Sequence, residues 1–384
     1  MTQIANLGSR FSINGGYSLG AMRAGFSPQK PAAQNQWQPM RGGSDGPVVV
    51  QVRVDNLLLD ALLDTGATRT VISRTLAGRL GLAPQGRARL AGLTADLYCD
   101  RTAPIRISVG PTELPPIIAI VLDLAAMSGA IRTPFDLILG QDMFLRHEID
   151  LDFENGRFRI GGDGLHGGST LALQQMDDGL FATKVQAAGA TGLAAIDLGS
   201  MLPLYISSDF ATRHGLADAD RTSTSVTIGI EGPSVHTTGR LASLSFAGRV
   251  FHDIPFAVPE RWNLYAPIVL GLPLLSRFDM RLRFGERWAT LRARAGNAAF
   301  PRDRSGLNVV AGGGGLQVIH VARNSPAERL CIVDGDVIVA VDGQAIDAHF
   351  LSTCKGLGTA PVGTIYRLEL LDSRRATLTL NDYY

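Results

Sequence analysis

The chain carries the stretch Leu62-Leu63-Asp64-Thr65-Gly66-Ala67-Thr68, in which an apolar segment ends on a carboxylate. This segment belongs to a strand-like run that begins at Leu57, and the strand-forming residues Thr70-Val71-Ile72 follow the motif. A surface turn, in which Asp64 accepts backbone N–H bonds, is one interpretation. Two features argue against it. A charge at the end of a buried strand is costly unless it has a function, and Gly66 lets a second backbone approach closely.

A third argument is that the same unit recurs around Asp197. Gly46 precedes Asp64 by the same interval as Gly179 precedes Asp197. The segments beyond the two aspartates also share identical residues and an apolar-apolar-glycine tripeptide, in the paired ranges 73–83 and 207–217, and 138–140 and 269–271. A repeat of this length predicts two copies of one fold, with one aspartate at the same place in each.

The first motif, Asp64-Thr65-Gly66-Ala67, resembles the signature of retropepsin-like aspartic proteases, and so does its second copy, Asp197-Leu198-Gly199-Ser200. The resemblance extends over roughly residues 46–295. It implies a mostly β protein with two pseudo-symmetric lobes, in which two catalytic aspartates activate one water between them. The other six motif residues would support the active-site loops.

The second motif departs from the family pattern at Leu198, where Thr or Ser is expected. In the family that hydroxyl helps to cross-link the two loops beneath the aspartates, and here Thr65 retains only one half of the pair. Two interpretations therefore stay open. The dyad either works, or the second lobe is a degenerate partner in which Asp197 is a capping carboxylate.

The residues after the motif glycines also differ, which bears on the protonation of the dyad. Ala67 has no side-chain donor for Asp64, whereas the Ser200 hydroxyl could donate to Asp197. A hydrogen bond to an ionised carboxylate lowers its pKa. The sequence therefore predicts that Asp197 is the ionised member and Asp64 the protonated one.

The resemblance further implies one or two β-hairpin flaps above the cleft. The candidate flap residues are Gly92, Leu93 and Thr94 in the first copy and Gly229 and Ile230 in the second. Ordinary glycine-containing hairpins at both places are an equally good interpretation of the sequence.

The C-terminal residues 305–384 follow a different pattern and resemble a PDZ domain in their order of strands, short helix and Asp-Gly turns. In that resemblance, Gly306-Leu307-Asn308-Val309 corresponds to the loop and strand that receive a peptide carboxylate. We therefore expect a C-terminal peptide as a candidate ligand of this domain. A PDZ-like module that packs on the lobes without a free ligand is the alternative.

Composition excludes several classes of function. The formal net charge is +1 and no basic run is interleaved with aromatic residues, so no nucleic-acid partner is predicted. No apolar run approaches the roughly 18 residues of a membrane span. The histidines are scattered without a zinc-binding motif, so neither a metal site nor a cofactor is predicted.

The predicted domain order is an extended or poorly ordered arm, a first lobe, a glycine-rich linker, a second lobe and the PDZ-like domain, over residues 1–44, 45–160, 161–178, 179–295 and 305–384. As the sequence stands we expect a cytoplasmic protein, or a periplasmic or secreted one if an N-terminal signal has been removed.

Together these patterns predict a single-chain aspartic endopeptidase that acts on polypeptides, with the PDZ-like domain recruiting or positioning the substrate. The expected state is a monomer with an intramolecular pseudo-dimer. Two alternatives remain at this point, namely a degenerate peptide-binding scaffold and a protease that homodimerises through its first lobe.

Overall fold

A computed structural model of the chain describes residues 36–43, 46–131, 133–161, 164–296, 298–312, 314–353 and 356–384. Most of the predicted N-terminal arm, and Asp45 at the start of the predicted first lobe, lie outside these residues. In the part of the chain that is described, no helix is both long and apolar enough to cross a membrane.

The first lobe consists of twelve described strands and three short helices. The strands are β1 (Gln38–Gly43), β2 (Gly46–Val54), β3 (Leu57–Leu63), β4 (Val71–Ser73), β5 (Arg87–Ala91), β6 (Asp96–Arg101), β7 (Ile107–Val109), β8 (Thr112–Glu113), β9 (Ile120–Leu122), β10 (Leu137–Leu139), β11 (Ile149–Asp152) and β12 (Arg157–Ile160). The helices are α1 (Arg74–Arg79), α2 (Ala125–Ala130) and α3 (Gln141–Phe144).

The second lobe has the same kind of composition, with long strands and two short helices. The strands are β13 (Ser169–Ala172), β14 (Gln174–Gln175), β15 (Phe181–Ala187), β16 (Ala190–Asp197), β17 (Leu204–Ile206), β18 (Thr222–Gly229), β19 (Gly232–Phe246), β20 (Arg249–Pro259), β21 (Ile268–Gly271), β22 (Phe278–Arg283) and β23 (Trp288–Ala293). The helices are α4 (Ser208–Arg213) and α5 (Leu272–Leu275), and 3-10 turns lie at Ala219–Arg221 and Phe284–Glu286.

The C-terminal domain adds a third sheet. Its strands are β24 (Leu307–Gly312), β25 (Gly315–Val321), β26 (Val337–Val341), β27 (Gln344–Ala345), β28 (Ile365–Leu370) and β29 (Arg375–Thr379), with α6 (Ala348–Thr353) and a 3-10 turn at Glu328–Leu330. The sequence prediction of a mostly β protein is confirmed.

The strand that leads to each aspartate has the same neighbours in both lobes. In the first lobe β3 pairs in parallel with β10, β10 pairs antiparallel with β4, and β4 pairs in parallel with β9. In the second lobe β16, β21, β17 and β20 repeat this order with the same directions. The three residues that precede each aspartate, at 61–63 and 194–196, are buried, which explains why they are apolar.

The local signals of the sequence agree with these elements. Ser73 and Ser207 cap α1 and α4, since each hydroxyl accepts the N–H bond three residues ahead, from Leu76 at 2.9 Å and Phe210 at 3.2 Å. The dipeptide Asn155-Gly156, a strong hairpin signal, lies in the turn between the antiparallel strands β11 and β12.

The two lobes share one sheet, which the sequence analysis did not anticipate. Strand β11 of the first lobe pairs antiparallel with β22 of the second. Across this pair, the buried Asp150 accepts from Arg281 Nε at 3.0 Å and from Arg159 Nη2 at 2.8 Å. The partners make this buried carboxylate tolerable, because an unpaired charge there would cost several kcal/mol.

Two predicted boundaries differ from the structure. The predicted linker 161–178 contains β13 and β14, which pair with β23 and β15. The described end of the predicted arm forms β1, which pairs with β2 and β12. In both places an open sheet edge offers hydrogen-bond partners that a local sequence pattern does not reveal.

A continuous apolar core runs through both lobes, with residues of β3, β16, β21 and β22 among its members. The C-terminal domain has a separate core built from β25, β26, β28 and β29. The two lobes are therefore joined by a shared core and a shared sheet, whereas the third sheet has a core of its own.

Candidate active site

Each candidate aspartate stands where a central strand ends. Asp64 follows β3 directly, and its N–H donates to Leu139 O at 3.0 Å. Asp197 is the last residue of β16 and pairs in register with Gly271. The turn that carries each carboxylate is thus held by the strand that runs parallel to it, which is β10 for Asp64 and β21 for Asp197.

The glycines of the two apolar-apolar-glycine segments make room for these turns. A Cβ atom on Gly140 would lie 2.5 Å from the backbone of Arg69, and one on Gly271 would lie 1.8 Å from Leu202 O. Both distances are shorter than any van der Waals contact, so a side chain at either position would push the aspartate loop away.

The two motifs meet face to face. A Cβ atom on Gly66 would lie 2.5 Å from Asp197 Cγ, and one on Gly199 would lie 2.3 Å from Asp64 Cγ. Each motif glycine therefore lies against the opposite carboxylate. The carboxyl groups of Asp64 and Asp197 therefore lie close together, so the structure brings together the two residues that the sequence singled out.

Backbone N–H groups hold both carboxylates in the same manner. Asp64 Oδ1 accepts from Gly66 N at 2.7 Å and Ala67 N at 3.0 Å. Asp197 Oδ1 accepts from Gly199 N at 2.8 Å and Ser200 N at 3.2 Å. These bonds fix the direction in which each carboxyl group points. They leave the Oδ2 atom of each aspartate for the other aspartate and for the cleft.

Thr65 links the loops beneath the aspartates. Its Oγ1 donates to Ile196 O at 2.8 Å and accepts from Leu198 N at 2.9 Å, and the residue is fully buried. Leu198 is also fully buried and packs in the main core, so the second lobe contributes only backbone groups to the cross-link. One hydroxyl thus connects the residues on both sides of Asp197 to the first lobe.

Gln141 is a support residue that the sequence analysis missed. The buried Gln141 side chain donates from Nε2 to Thr65 O at 2.8 Å. Its position directly after Gly140, in the segment already singled out, was a usable signal. At the corresponding position the second lobe has Leu272, which bonds only through its backbone, to Ser200 O at 2.8 Å.

The electrostatic environment of the dyad favours the opposite protonation to the predicted one. Burial and the negative charge of Asp64 hold the pKa of Asp197 well above its ordinary value. Burial also raises the pKa of Asp64, but hydrogen bonds from Asp197 and from the N–H groups of Gly66, Ala67 and Gly199 oppose this rise. These influences together favour the proton on Asp197 and the charge on Asp64.

The reason for this correction is the direction of one hydroxyl. Ser200 Oγ donates to Leu202 O at 3.1 Å instead of to Asp197, so the Ala67/Ser200 difference that carried the prediction does not reach the carboxylates. We expect Ser200→Ala to leave both limbs of a pH–rate profile where the wild type has them. A shift of either limb would show that the hydroxyl does act on the dyad.

The raised pKa of Asp197 also predicts a pH-dependent stability. Its folded pKa lies above the unfolded value, so the folded state holds a proton that the unfolded state releases, and stability falls as the pH rises from about 3.8 through the folded pKa. Asp197→Asn removes this cost. We expect its melting temperature to exceed that of the wild type by about 2–4 °C at pH 7 and to match it in acid.

Thermal unfolding across the acidic and neutral range measures the difference. The exposed Asp209 provides the control, since Asp209→Asn should show no such pH dependence. A gain for Asp197→Asn that is the same at every pH would contradict the assignment of the proton.

Both predicted flaps are hairpins, and their tips are joined. The turn between β5 and β6 holds Gly92, Leu93 and Thr94, while β18 and β19 are connected by Ile230 and Glu231. Glu231 Oε1 accepts from Thr94 N at 3.0 Å and from Thr94 Oγ1 at 3.4 Å. We call this contact the flap latch.

The second lobe holds the first flap at a further point. Asn263 N donates to Leu93 O at 2.9 Å, and Asn263 Nδ2 donates to Gly92 O at 3.2 Å. A Cβ atom on Gly92 would lie 2.0 Å from Glu231 Oε1, so the latch requires glycine there. Glu231 lies in the predicted second flap, but the sequence indicated no partner for it, and Asn263 was not a candidate.

The latch makes a measurable contribution to flap closure. Hydrogen bonds to a charged group are worth roughly 1.5–3 kcal/mol, so we expect Glu231→Ala to speed hydrogen exchange of the Thr94 amide about tenfold or more. Hydrogen-exchange mass spectrometry of the protein alone measures this rate. Glu260→Ala, at an exposed position of the same lobe, is the control, and equal exchange in the two variants would rule the latch out.

A cavity of about 440 Å³ lies under the flaps. Its volume is in the range of small-molecule and peptide side-chain sites. It is lined by both aspartates, by all five predicted flap residues, by apolar side chains of the two lobes that include Leu62, Leu90, Ile138, Leu180 and Val269, and by Asn308, Val309, Val310 and Ile319 of the C-terminal domain.

The loop predicted to bind a peptide carboxylate is already occupied by a carboxylate of this chain. Asp303 accepts from Gly306 N at 2.8 Å, from Ser305 N at 3.1 Å and from Tyr383 OH at 2.7 Å. Leu307 N donates to Ser305 Oγ at 3.0 Å. The amides expected to receive a peptide terminus therefore have internal partners.

Comparison with known proteins agrees with the geometry of the first lobe. Residues 50–143, which extend from β2 into α3 and include Asp64, match the aspartyl protease family. The UBA domain-containing protein Mud1 of Schizosaccharomyces pombe is 30% identical over 119 residues, or 29% of this chain. The match covers 32% of Mud1, so the chain spans about a third of the length of this curated relative. The segment of the first lobe around Asp64 is thus an aspartyl protease-like domain.

Proposed function

We propose that this chain is an aspartic endopeptidase that hydrolyses polypeptides with the pair Asp64 and Asp197. The observation that carries the proposal is the pair of carboxyl groups, each lying against the motif glycine of the other loop, that line one cavity under two joined flaps. Two such groups in one site cannot both ionise cheaply, which supplies a base and an acid at the same pH.

The assigned protonation gives each aspartate a role. Ionised Asp64 takes a proton from a water molecule as that water attacks the carbonyl carbon of the scissile bond. Protonated Asp197 donates its proton to the carbonyl oxygen, and a tetrahedral gem-diol forms. On its collapse the C–N bond breaks, the leaving nitrogen takes a proton from Asp64, and Asp197 recovers its own from a hydroxyl.

The apolar lining of the cavity supports an extended peptide with hydrophobic side chains on both sides of the scissile bond. The closed flaps would exclude bulk water and strengthen the interactions with the reacting groups. A homodimer through the first lobe is not needed to complete the pair, because the second lobe already supplies a facing carboxyl group. We further propose that the C-terminal domain positions the substrate, since four of its residues line the same cavity.

A digest of a peptide library at several pH values tests the proposal. Because the pKa values of both aspartates are raised, the rate should rise above about pH 3.8 as Asp64 ionises and fall at higher pH as Asp197 does. A bell-shaped profile and cleavage between apolar residues are the expected results. Intact peptides at every pH would overturn the proposed function.

A further inference from the structure

The two lobes line the cavity with side chains of different polarity at equivalent positions. Val71 of β4 pairs with Ile138, and Tyr205 of β17 pairs with Val269, so the second lobe has a tyrosine where the first has a valine. Both Val71 and Tyr205 line the cavity. The second-lobe side therefore carries a hydroxyl at a place where the first-lobe side is apolar.

The strands that lead into the flap tips show the same difference. Leu90 lies two residues before Gly92, and Thr227 lies two residues before Gly229. Leu90 is buried in an apolar cluster of the first lobe, whose members that also line the cavity include Leu62, Val71 and Ile138. Thr227 instead joins a polar network, because the Tyr205 hydroxyl donates to its Oγ1 at 3.2 Å.

A buried histidine extends this network. His236 Nε2 is 2.8 Å from Thr227 Oγ1, and the rings of His236 and Tyr205 pack edge to face with centroids 5.8 Å apart. His236 is 2% exposed, and in the described part of the chain its Nδ1 has no hydrogen-bond partner. Burial and the nearby His320 lower the pKa of His236 to about 4, so the ring is neutral above that pH. We call Tyr205, Thr227 and His236 the polar wall.

The charged groups that line the cavity are carboxylates. Asp64, Asp178, Asp197 and Glu231 belong to the lining, and none of the described residues around the cavity is a lysine or an arginine. Both hydrogen bonds of the flap latch go to Oε1 of Glu231, so Oε2 has no hydrogen-bond partner among the residues that the structure describes. Burial, and then the nearby carboxyl groups of Asp197 and Glu231, raise the pKa of Tyr205 to about 12, which places the polar wall close to both.

A cationic side chain suits this part of the cavity. Its aliphatic stem can pack against the Tyr205 ring, and its charged head can donate to Glu231 Oε2. An acidic side chain would be repelled by the same carboxylates, and an apolar one would leave the acceptor without a partner. On the first-lobe side Val71 and Leu90 offer no such acceptor.

Resting on the proposed function, we propose that Glu231 and the polar wall form a specificity subsite for one lysine or arginine side chain of the substrate, on one side of the scissile bond only. The two residues that flank the scissile bond are apolar, and the basic residue lies further along the peptide. Because the equivalent place in the first lobe is apolar, the cavity distinguishes the two directions in which a peptide could lie across the dyad.

Peptide binding to the full-length Asp197→Asn variant tests this inference without relying on catalysis. The probes are labelled peptides with two central leucines and, at one other position at a time, either lysine or norleucine, which has a similar stem but no charged head. We expect lysine to lower Kd about tenfold at one position, the scale of one hydrogen bond to a charged group. At the position equally far on the other side, norleucine should bind at least as well. Fluorescence anisotropy measures both.

Glu231→Gln is the matched variant, because its amide oxygen can still accept from Thr94 N while the charge is removed. Added to Asp197→Asn, it should abolish the preference for lysine and leave the Kd of the norleucine peptide within about twofold. A general loss of structure would weaken both peptides alike. Glu260→Gln, at an exposed position of the same lobe, is the control and should keep the preference.

The outcomes separate this inference from the proposed function. A one-sided preference for lysine that depends on Glu231 supports the inference even if the wild type cleaves nothing. Equal Kd values for lysine and norleucine at every position, or a preference for lysine on both sides, overturn it and leave the proposed function intact. A preference that survives Glu231→Gln, or no binding of any probe at the highest concentration, also counts against it.

Discussion

Asp64→Asn and Asp197→Asn should each lower kcat/KM by at least about a thousandfold, the scale of lost general acid–base catalysis. Asparagine keeps the size of the side chain but cannot exchange a proton in either role. In Asp64→Asn the water loses its base, and in Asp197→Asn the carbonyl oxygen loses its acid. Initial rates with a fluorogenic peptide chosen from the library digest measure both effects.

The matched control is Asp209→Asn, which changes an exposed carboxylate of α4 in the same lobe as Asp197. It should retain wild-type activity. If one dyad variant lost activity and the other kept it, a pair that shares one water could not be the catalytic unit. Equal turnover in all the proteins would assign the cleavage to a contaminant.

Thr65→Val should cost about 2–4 kcal/mol of stability and lower kcat/KM about a hundredfold. The change removes the hydroxyl at nearly constant volume and leaves Ile196 O and Leu198 N without partners at a buried position. These two groups flank Asp197, so its carboxyl group would lose its alignment with Asp64. Denaturant unfolding and steady-state kinetics measure the two effects.

Thr65→Ser is the matched control, because it keeps the hydroxyl and loses only a methyl group. We expect it to recover most of the activity, although the less constrained serine would hold the loops less firmly. If Thr65→Val matched the wild type in both stability and kcat, the single hydroxyl bridge would be unimportant, and the doubt that Leu198 raised about the second motif would have no bearing on activity.

The sequence was informative wherever a local pattern determines a local structure. A strand that ends in Asp-x-Gly, a serine cap before a short helix and an Asn-Gly hairpin each depend on a few neighbouring residues. The internal repeat then placed Asp64 and Asp197 at equivalent positions. The existence and relation of the two loops could therefore be predicted before any coordinates were available.

Features that depend on distant residues escaped prediction. The partners of the flap latch, Thr94 and Glu231, are 137 positions apart, and no periodicity connects them. The prediction for the protonation of the dyad assumed that the Ser200 hydroxyl donates to Asp197, whereas it donates to Leu202 O, and the residue type alone does not give this rotamer. The occupation of the Gly306 loop by Asp303 likewise required coordinates, because several side chains could compete for the same amides.

The strand pair β11–β22 has a consequence for what each half must supply to the site. A dimer of identical chains must build both sides of its active site from one sequence, and it separates on dilution. Here the halves are covalently continuous and hydrogen-bonded through one sheet, so they stay together at any concentration. The two halves can then differ in sequence at equivalent positions. The second motif can carry the apolar side chain of Leu198 where the first has a hydroxyl, because Thr65 always lies opposite it and supplies the hydroxyl of the cross-link.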